Sequence, residues 1–154
     1  RTGVVVEDNS ETYFVGKNAD FQSMVSKIAT AGLSVETVDA LANADVGGKP
    51  VSELLTDAIA TIGENMSLRR MVKVSGELVV SYVHNSVADG MGKIGVLVTL
   101  SGDNEAFGKQ VAMHIAAANP TALNEASLNP VDIEKEKQIQ MDIARESGKP
   151  EAVI

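Results

Sequence analysis

Apolar residues at helical spacing alternate along this chain with short β-branched runs, and this alternation is the feature that most limits its fold. In residues 19–32 the apolar positions follow the i, i+3, i+4, i+7, i+8 order of one helix face: Phe21, Met24, Val25, Ile28 and Ala29. Similar reasoning predicts a short helix from Ser34 to Leu41, a longer helix capped by Ser52, and another that ends at Asn119. Each apolar stripe must be buried against another element.

The β-branched runs predict strands between these helices. Gly3–Glu7 (GVVVE) and Lys93–Leu100 (KIGVLVTL) are each typical of a strand, and residues 71–74 and 78–85 are expected to pair as a hairpin around SGE. Residues 86–92 (SVADGMG) are expected to form a flexible loop. Helices packed on antiparallel strands define the predicted fold class, which is α+β.

A weak internal repeat suggests that the fold has two related lobes. The order of strand, loop and helix in residues 4–29 recurs in residues 96–116, and Phe21 and Val25 match Phe107 and Val111 at the same offset. The order of the elements carries this inference more than the two matching positions do.

The expected division places an N-terminal lobe at residues 1–92 and the start of a truncated C-terminal lobe at residues 93–154. The second lobe includes a helix rich in Glu and Lys at residues 131–146, which Asn129 and Pro130 begin as N-cap and first helical residue. The chain starts at RTGVVVE and stops at GKPEAVI, in mid-pattern at both ends. We therefore expect a fragment of a longer protein.

Charge and composition exclude several kinds of function. The formal charge is −8, and an acidic surface repels phosphate backbones, so nucleic acid is not expected as a direct ligand. The chain has no cysteine, which excludes disulfides and thiolate metal sites and fits a cytoplasmic protein. No apolar run approaches the ~20 residues of a membrane helix, so no membrane partner is expected.

Enzyme chemistry has little support in the residues. The run DGMGKIG (Asp89–Gly95) lacks the spacing of a phosphate-binding loop and precedes a strand. His84 and His114 belong to no metal-binding pattern, so neither a metal nor a cofactor is expected. Glu64 with Arg69 and Arg70 could form an acid/base cluster or, more simply, an ion network at a helix end. A small-molecule enzyme that uses Glu64, Arg69 and His84 stays open as an alternative to a binding protein.

Two regions leave the choice between a structural and a binding role open. Tyr13, Phe14 and Val15 stand side by side in a predicted loop, although the chain has only five aromatic residues. They could anchor the loop to the core, or one of them could point outward at a partner. His114 lies one residue from an apolar helix stripe, so it is either a histidine at the core boundary or a polar contact for a partner.

Five ordered segments resemble the bacterial translation elongation factor Ts family. NSETYFVGKN is similar to the signature E-V-N-x-E-T-D-F-V-A-[RK]-N, and ATIGENMSLRR resembles KIGENI-x-[IL]RR. SYVHN with GKIGVLV resembles the SYxH and RIGVLV segments, AMHIAAANP resembles AMHVAAxxP, and ARESGKPE resembles ARxSGKPE. These segments span nearly the whole chain, and the part of the family that they cover is its two-lobed core, the dimerisation domain.

The resemblance implies a nucleotide-exchange factor for elongation factor Tu rather than an enzyme. It implies that Phe14 inserts between helices of that GTPase, within a loop segment that also includes Tyr13 and Val15. Further partner contacts are implied at four other positions: Ile94, Gly95, Met113 and His114. A homodimer is a possible further assembly, and the implied location is the bacterial cytoplasm or an organelle matrix.

The chain departs from the family signature at three positions. Tyr13 stands where the family has the aspartate that is expected to make polar contacts at a helix end of the partner. Asp8 stands where the family prefers an aliphatic residue, and Gly16 where it prefers Ala or Ser. Tyr13 keeps a hydroxyl and a large contact area but supplies no carboxylate. A structural dimerisation module with weak or no exchange activity is therefore the alternative function.

Overall fold

The chain has two compact units, Arg1–Ala118 and a second that begins at Asn119. The β-branched runs form four strands, all within the first unit. The structure is a computed structural model that describes residues 1–150 and residue 153. The strands are β1 (Thr2–Ser10), β2 (Met66–Ser75), β3 (Leu78–Ala88) and β4 (Met91–Leu100). β1 pairs with β2 and β3 pairs with β4, both antiparallel, in two separate sheets.

The predicted hairpin between residues 71–74 and 78–85 is wrong, because β2 pairs with β1 and β3 pairs with β4. The predicted flexible loop at residues 86–92 is wrong as well. Ala88 pairs directly with Met91, so only a two-residue turn separates β3 from β4, and its Gly90 has a φ of 68°. An Asp-Gly turn closes a hairpin between the strands on either side of it, which is the local signal that favours this pairing.

Five helices accompany the strands. They are α1 (Ala19–Gly32), α2 (Val38–Ala42), α3 (Val51–Ile62), α4 (Glu105–Ala118) and α5 (Pro130–Glu146). The predicted α+β class is confirmed, as are the helix over residues 19–32 and the Glu/Lys-rich helix at the end of the chain. None of the helices within the described residues is long and apolar enough to cross a membrane.

Two helix starts differ from the prediction. Thr37, and not Ser34, caps α2, because its hydroxyl oxygen accepts a hydrogen bond from the Ala40 backbone N–H at 3.1 Å. Pro50 precedes α3, so Ser52 lies inside the helix. The cap of α5 is confirmed: the Asn129 side chain accepts a hydrogen bond from the Val131 N–H at 3.0 Å, and Pro130 follows it.

The two sheets of the first unit face each other, and helices cover their outer faces. A Cβ added to Gly3 on β1 would lie 2.8 Å from Val79 Cγ1 on β3, so the sheets come close together at this glycine. On the other face of β1, a Cβ added to Gly32 of α1 would lie 3.1 Å from Val4 Cγ2. Since side chains alternate along a strand, even positions of β1 face α1 and odd positions face the other sheet.

Each helix layer forms its own hydrophobic core with its sheet. Eight buried residues form the core on the α1 side: Val15, Phe21, Met24, Ile28, Leu41, Val51, Leu55 and Met66. The core on the α4 side is smaller and centres on Val96, Val98 and Ala112. The sequence repeat matches Phe21 with Phe107, but the expectation that they are equivalent is wrong, because their side chains differ in burial. Phe21 is 8% exposed and Phe107 is 51% exposed. α2 and α3 enclose the first core, whereas the core beneath α4 is built from α4 and the two strands it packs on.

The predicted lobes at residues 1–92 and 93–154 stay a prediction. Residues 151, 152 and 154 of that division lie outside the described residues, and they include the Glu151 that ends the ARESGKPE segment.

Candidate partner-binding site

Phe14 projects from the loop between β1 and α1. Its side chain is 78% exposed, and that of Tyr13 is 54% exposed. Val15 is only 4% exposed and packs in the core on the α1 side. The loop is therefore anchored by its valine, and the two aromatic residues before it are turned outward. A large apolar ring at a loop tip is an unusual surface feature that points to a partner.

The backbone on the C-terminal side of Phe14 is fixed by short-range hydrogen bonds. Residues 15–17 form a single 3₁₀ turn, in which the Lys17 N–H donates to the Phe14 carbonyl oxygen at 3.1 Å. Asn18 then caps α1, because its side-chain oxygen accepts hydrogen bonds from the N–H groups of Asp20 and Phe21 at 2.9 and 3.0 Å. The sequence places a cap directly after the turn, so the loop enters the helix in one conformation.

Tyr13 lies close to two lysines that sequence reasoning did not single out. The Lys17 Nζ is 4.7 Å from the centroid of the Tyr13 ring, and the Lys93 Nζ is 5.1 Å from it. Cations over an aromatic face are attracted by its quadrupole. Neither lysine forms an ion pair with another residue in the described part of the chain. Tyr13 thus lies, without a carboxylate, close to two positive charges.

These lysines also affect the Tyr13 hydroxyl. Hydrogen bonding with Lys17 lowers the pKa of Tyr13 below its ordinary value, and the positive charges of Lys17 and Lys93 act in the same direction. Since both lysines favour the phenolate, removing either should raise this pKa.

We expect the Lys17→Met variant to raise the pKa of Tyr13 towards that of a free tyrosine. The change can be followed by the ultraviolet absorbance of tyrosinate during a titration. A Tyr82→Phe background leaves Tyr13 as the only tyrosine, since the chain has two. Lys27→Met removes an equal charge from an exposed position on α1 and is the control. An unchanged Tyr13 pKa in the Lys17 variant would contradict this account of the loop.

The strand β4 carries the next two predicted residues. Ile94 is half-exposed and lies beside Lys93, so the contact of Lys93 with Tyr13 brings the loop close to this strand. Gly95 has its own structural role. A Cβ added at this position would lie 3.0 Å from Val5 Cγ1 on β1. The glycine therefore lets the two sheets approach each other, whatever it does for a partner.

We expect Gly95→Ala to destabilise the fold by about 1–3 kcal/mol, because the added methyl group overpacks the space between the sheets. Val5→Ala removes the opposing methyl groups, so the combined variant should lose less stability than the two single losses together. Urea unfolding measures these losses. Gly16→Ala is the matched control, since no atom lies within 4 Å of its added Cβ. Unchanged stability in Gly95→Ala would contradict the packing role of Gly95 and leave contact with a partner as its only predicted role.

Met113 and His114 lie on the exposed side of α4. Ala112 is fully buried on the opposite side, and Val111 and Ile115 pack beside it. No hydrogen bond to the His114 imidazole occurs among residues 1–150. His114 therefore does not match the structural interpretation, in which its ring is hydrogen-bonded at the boundary of the core.

α4 starts against the C-terminal end of β4. Near the start of the helix, a Cβ added to Gly108 would lie 3.1 Å from Leu100 Cδ1. Ala112, about one turn later, is in one core cluster with Val96 and Val98 of the same strand. No hydrogen bond or ion pair among the described residues joins Met113 or His114 to the Phe14 loop. The structure thus brings Tyr13 to β4, and places the α4 pair at the surface of the helix that covers this strand.

The acid/base cluster considered for Glu64, Arg69 and Arg70 does not form. Both arginines pair with Glu7, Arg69 at 3.2 Å, whereas Glu64 binds the backbone and hydroxyl of Thr12. His84 has its Nδ1 3.0 Å from the Tyr82 hydroxyl oxygen. Within the described residues, no group of three or more histidine or acidic side chains is placed to hold a metal ion.

Asp8, close to this loop in sequence, is a partly buried residue whose carboxylate group is inaccessible to solvent. It lies opposite a bulge in β2, where Arg69 is left unpaired between the pairs Glu7–Arg70 and Asp8–Leu68. Both of its carboxylate oxygens are inaccessible to solvent and have no hydrogen-bond partner within the described chain. Burial raises the pKa of Asp8 to about 6. The resemblance indicates an aliphatic residue at this position, and such a residue would leave no polar group without a hydrogen-bond partner here.

Comparison with known proteins identifies the family. The family model for Elongation factor TS matches residues 11–154. Elongation factor Ts of Ruegeria sp. strain TM1040 is 70% identical over 152 residues, and that of Ruegeria pomeroyi is 68% identical over 152 residues. Each comparison covers 99% of this chain and 52% of the relative, so the chain spans about half the length of these curated relatives. The chain belongs to the elongation factor Ts family.

Proposed function

We propose that this chain is the part of an exchange factor that binds elongation factor Tu and promotes the release of GDP. One observation carries this proposal: Phe14, in a segment that resembles the family signature, is 78% exposed on an anchored loop. An exposed aromatic ring that is already held in place loses little conformational freedom on binding, which is typical of an interface hot spot.

Nucleotide exchange requires no covalent step. A protein that binds the GTPase more tightly when nucleotide is absent must, by thermodynamic linkage, weaken nucleotide binding by the same factor. The apolar Phe14 ring can supply this difference if the space that it enters in the partner is closed while GDP is bound. We therefore propose that Phe14 binds elongation factor Tu.

The other predicted contacts take different parts in this proposal. Ile94, Met113 and His114 have exposed side chains and would extend the contact beyond the loop. Val15 is buried, so its contribution is to anchor the loop rather than to contact the partner. Tyr13 would present a hydroxyl and two neighbouring ammonium groups to the partner, where other members of the family are expected to present a carboxylate.

The release of a fluorescent GDP analogue from elongation factor Tu tests the proposal. Adding this chain with excess unlabelled GDP should accelerate release in proportion to chain concentration before saturation. The partner from Ruegeria pomeroyi is a suitable reagent, since a relative 68% identical comes from that organism. Binding without any acceleration, at an affinity that GDP does not change, would instead favour the dimerisation module. Absence of binding would contradict both.

A further inference from the structure

The carboxylate of Glu64 holds the loop that carries Phe14. Its Oε2 accepts a hydrogen bond from the Thr12 backbone N–H at 3.0 Å, and its Oε1 accepts one from the Thr12 hydroxyl at 2.6 Å. Thr12 precedes Phe14 by two residues, whereas Glu64 is 52 positions away from Thr12 in sequence. Hydrogen bonds to an ionised carboxylate are stronger than those between neutral groups.

Glu64 is itself fixed in place by the elements on either side. Gly63 ends α3 in the left-handed region with φ 83°, and its N–H donates to the Ile59 carbonyl oxygen at 2.9 Å. Met66, at the start of β2, is buried in the core on the α1 side. The short connection that carries Glu64 is therefore anchored by a helix end and by a buried strand residue. None of the ion pairs among the described residues includes Glu64, so Thr12 does not compete with a cation for it.

The two sides of the loop are thus held by different means. On the N-terminal side, Glu64 holds Thr12, and the Ser10 hydroxyl also donates to the Thr12 carbonyl oxygen at 3.0 Å. On the C-terminal side, Val15 is buried in the core. Only Tyr13 and Phe14 lie between these two fixed points. Without Glu64, the loop would have to be ordered when the partner binds, and the binding free energy would be reduced by that cost.

We propose that Glu64 is a positioning residue that holds Thr12 so that Phe14 is presented in its binding geometry before the partner arrives. This role rests on the proposed function, because it acts through Phe14. The segment ATIGENMSLRR, which contains Glu64, would thus hold the loop that carries Tyr13 and Phe14.

Glu64→Ala should lower the second-order rate of GDP release from elongation factor Tu by about tenfold, the size expected for losing a charge-assisted contact that orders a binding loop. Thr12→Val, which keeps the shape but removes the hydroxyl donor, should give a smaller loss in the same direction. Thr12→Ser keeps both donors and should stay close to the unchanged chain. This second pair of variants leaves Glu64 and its connection between α3 and β2 untouched, so a folding defect at Glu64 cannot decide the result.

Two further measurements separate positioning from a general structural effect. In a chain that already carries Phe14→Ala, adding Glu64→Ala should cause no further loss, because the residue through which Glu64 acts is missing. Hydrogen exchange at the Thr12 amide, measured without any partner, should become faster in Glu64→Ala and stay slow in Phe14→Ala.

Contradictory outcomes can be assigned to one proposal or the other. If Phe14→Ala lowers GDP release but Glu64→Ala does not, the positioning role is overturned and the proposed function stands. An equal loss from Glu64→Ala with and without Phe14 also overturns positioning. If Phe14→Ala leaves release unchanged, the role proposed for Phe14 fails, and the positioning role fails with it.

Discussion

Replacing Phe14 with alanine should slow GDP release from elongation factor Tu by about 30-fold, which corresponds to the roughly 2 kcal/mol of an interface hot spot. The folded chain should keep its stability, because the ring is 78% exposed and contributes little to the core. Stopped-flow release of a fluorescent GDP analogue and urea unfolding provide the two measurements. The loss should appear mainly in the affinity for the partner, and therefore in its dissociation rate.

Leu123→Ala is the matched control for Phe14→Ala. Leu123 is 94% exposed and belongs to no predicted contact, so its truncation also removes exposed apolar surface. It should leave GDP release unchanged. Equal rates for Phe14→Ala and the unchanged chain would contradict the proposed insertion of Phe14, and an equal loss in both variants would point to a nonspecific hydrophobic effect.

Replacing Asp8 with valine should stabilise the chain at pH 7 by about 3 kcal/mol, the free energy that corresponds to a pKa raised from 3.8 to about 6. Burial penalises the charged form of the carboxyl group, so the folded state retains a proton that the unfolded state releases. The unmodified chain should therefore lose stability as pH rises from about 4 to about 6, and the full cost should be present above that range. Valine removes both the buried charge and its pH dependence.

Urea unfolding at several pH values between 4 and 7 measures this effect. Asp8→Asn should also abolish the pH dependence, but it should stabilise less than valine does, because its amide stays buried without a partner. Asp89→Asn is the control, since Asp89 is exposed in the turn between β3 and β4 and an Asn-Gly pair suits such a turn equally well. A stability difference between the unchanged chain and Asp8→Val that does not vary with pH would contradict this assignment.

The strand pairing shows what local sequence signals could and could not provide. The strands themselves were predictable from their β-branched residues, but the pairing of β2 with β1 is non-local, since Val5 pairs with Val72. The correct hairpin had a local signal in Asp89 and Gly90, which the flexible-loop interpretation passed over. Helical spacing predicted α1 correctly, yet it could not distinguish the buried Phe21 from the half-exposed Phe107, because burial depends on which elements cover each helix.

The candidate site, too, was only partly predictable from the sequence. Family resemblance singled out Phe14, and the structure supplies its exposure. Three consecutive residues, Tyr13 to Val15, could not be divided into anchor and contact from sequence, because a single 3₁₀ turn decides which side chain is buried. The contacts of Lys93 with Tyr13 and of Glu64 with Thr12 join residues far apart in the chain. Neither pair has a local sequence signal, so only the folded structure reveals them.

Photo-crosslinking from position 14 is the most direct test that Phe14 contacts elongation factor Tu in a nucleotide-dependent way. Phe14 is replaced by p-benzoylphenylalanine, and the same photoreactive residue replaces Leu123 in a parallel control. Crosslinking from position 14 to nucleotide-free elongation factor Tu should be efficient, and excess GDP should decrease it markedly. Crosslinking from position 123 should be weak. Equal yields from the two positions, or a yield from position 14 that GDP does not change, would contradict the proposed contact.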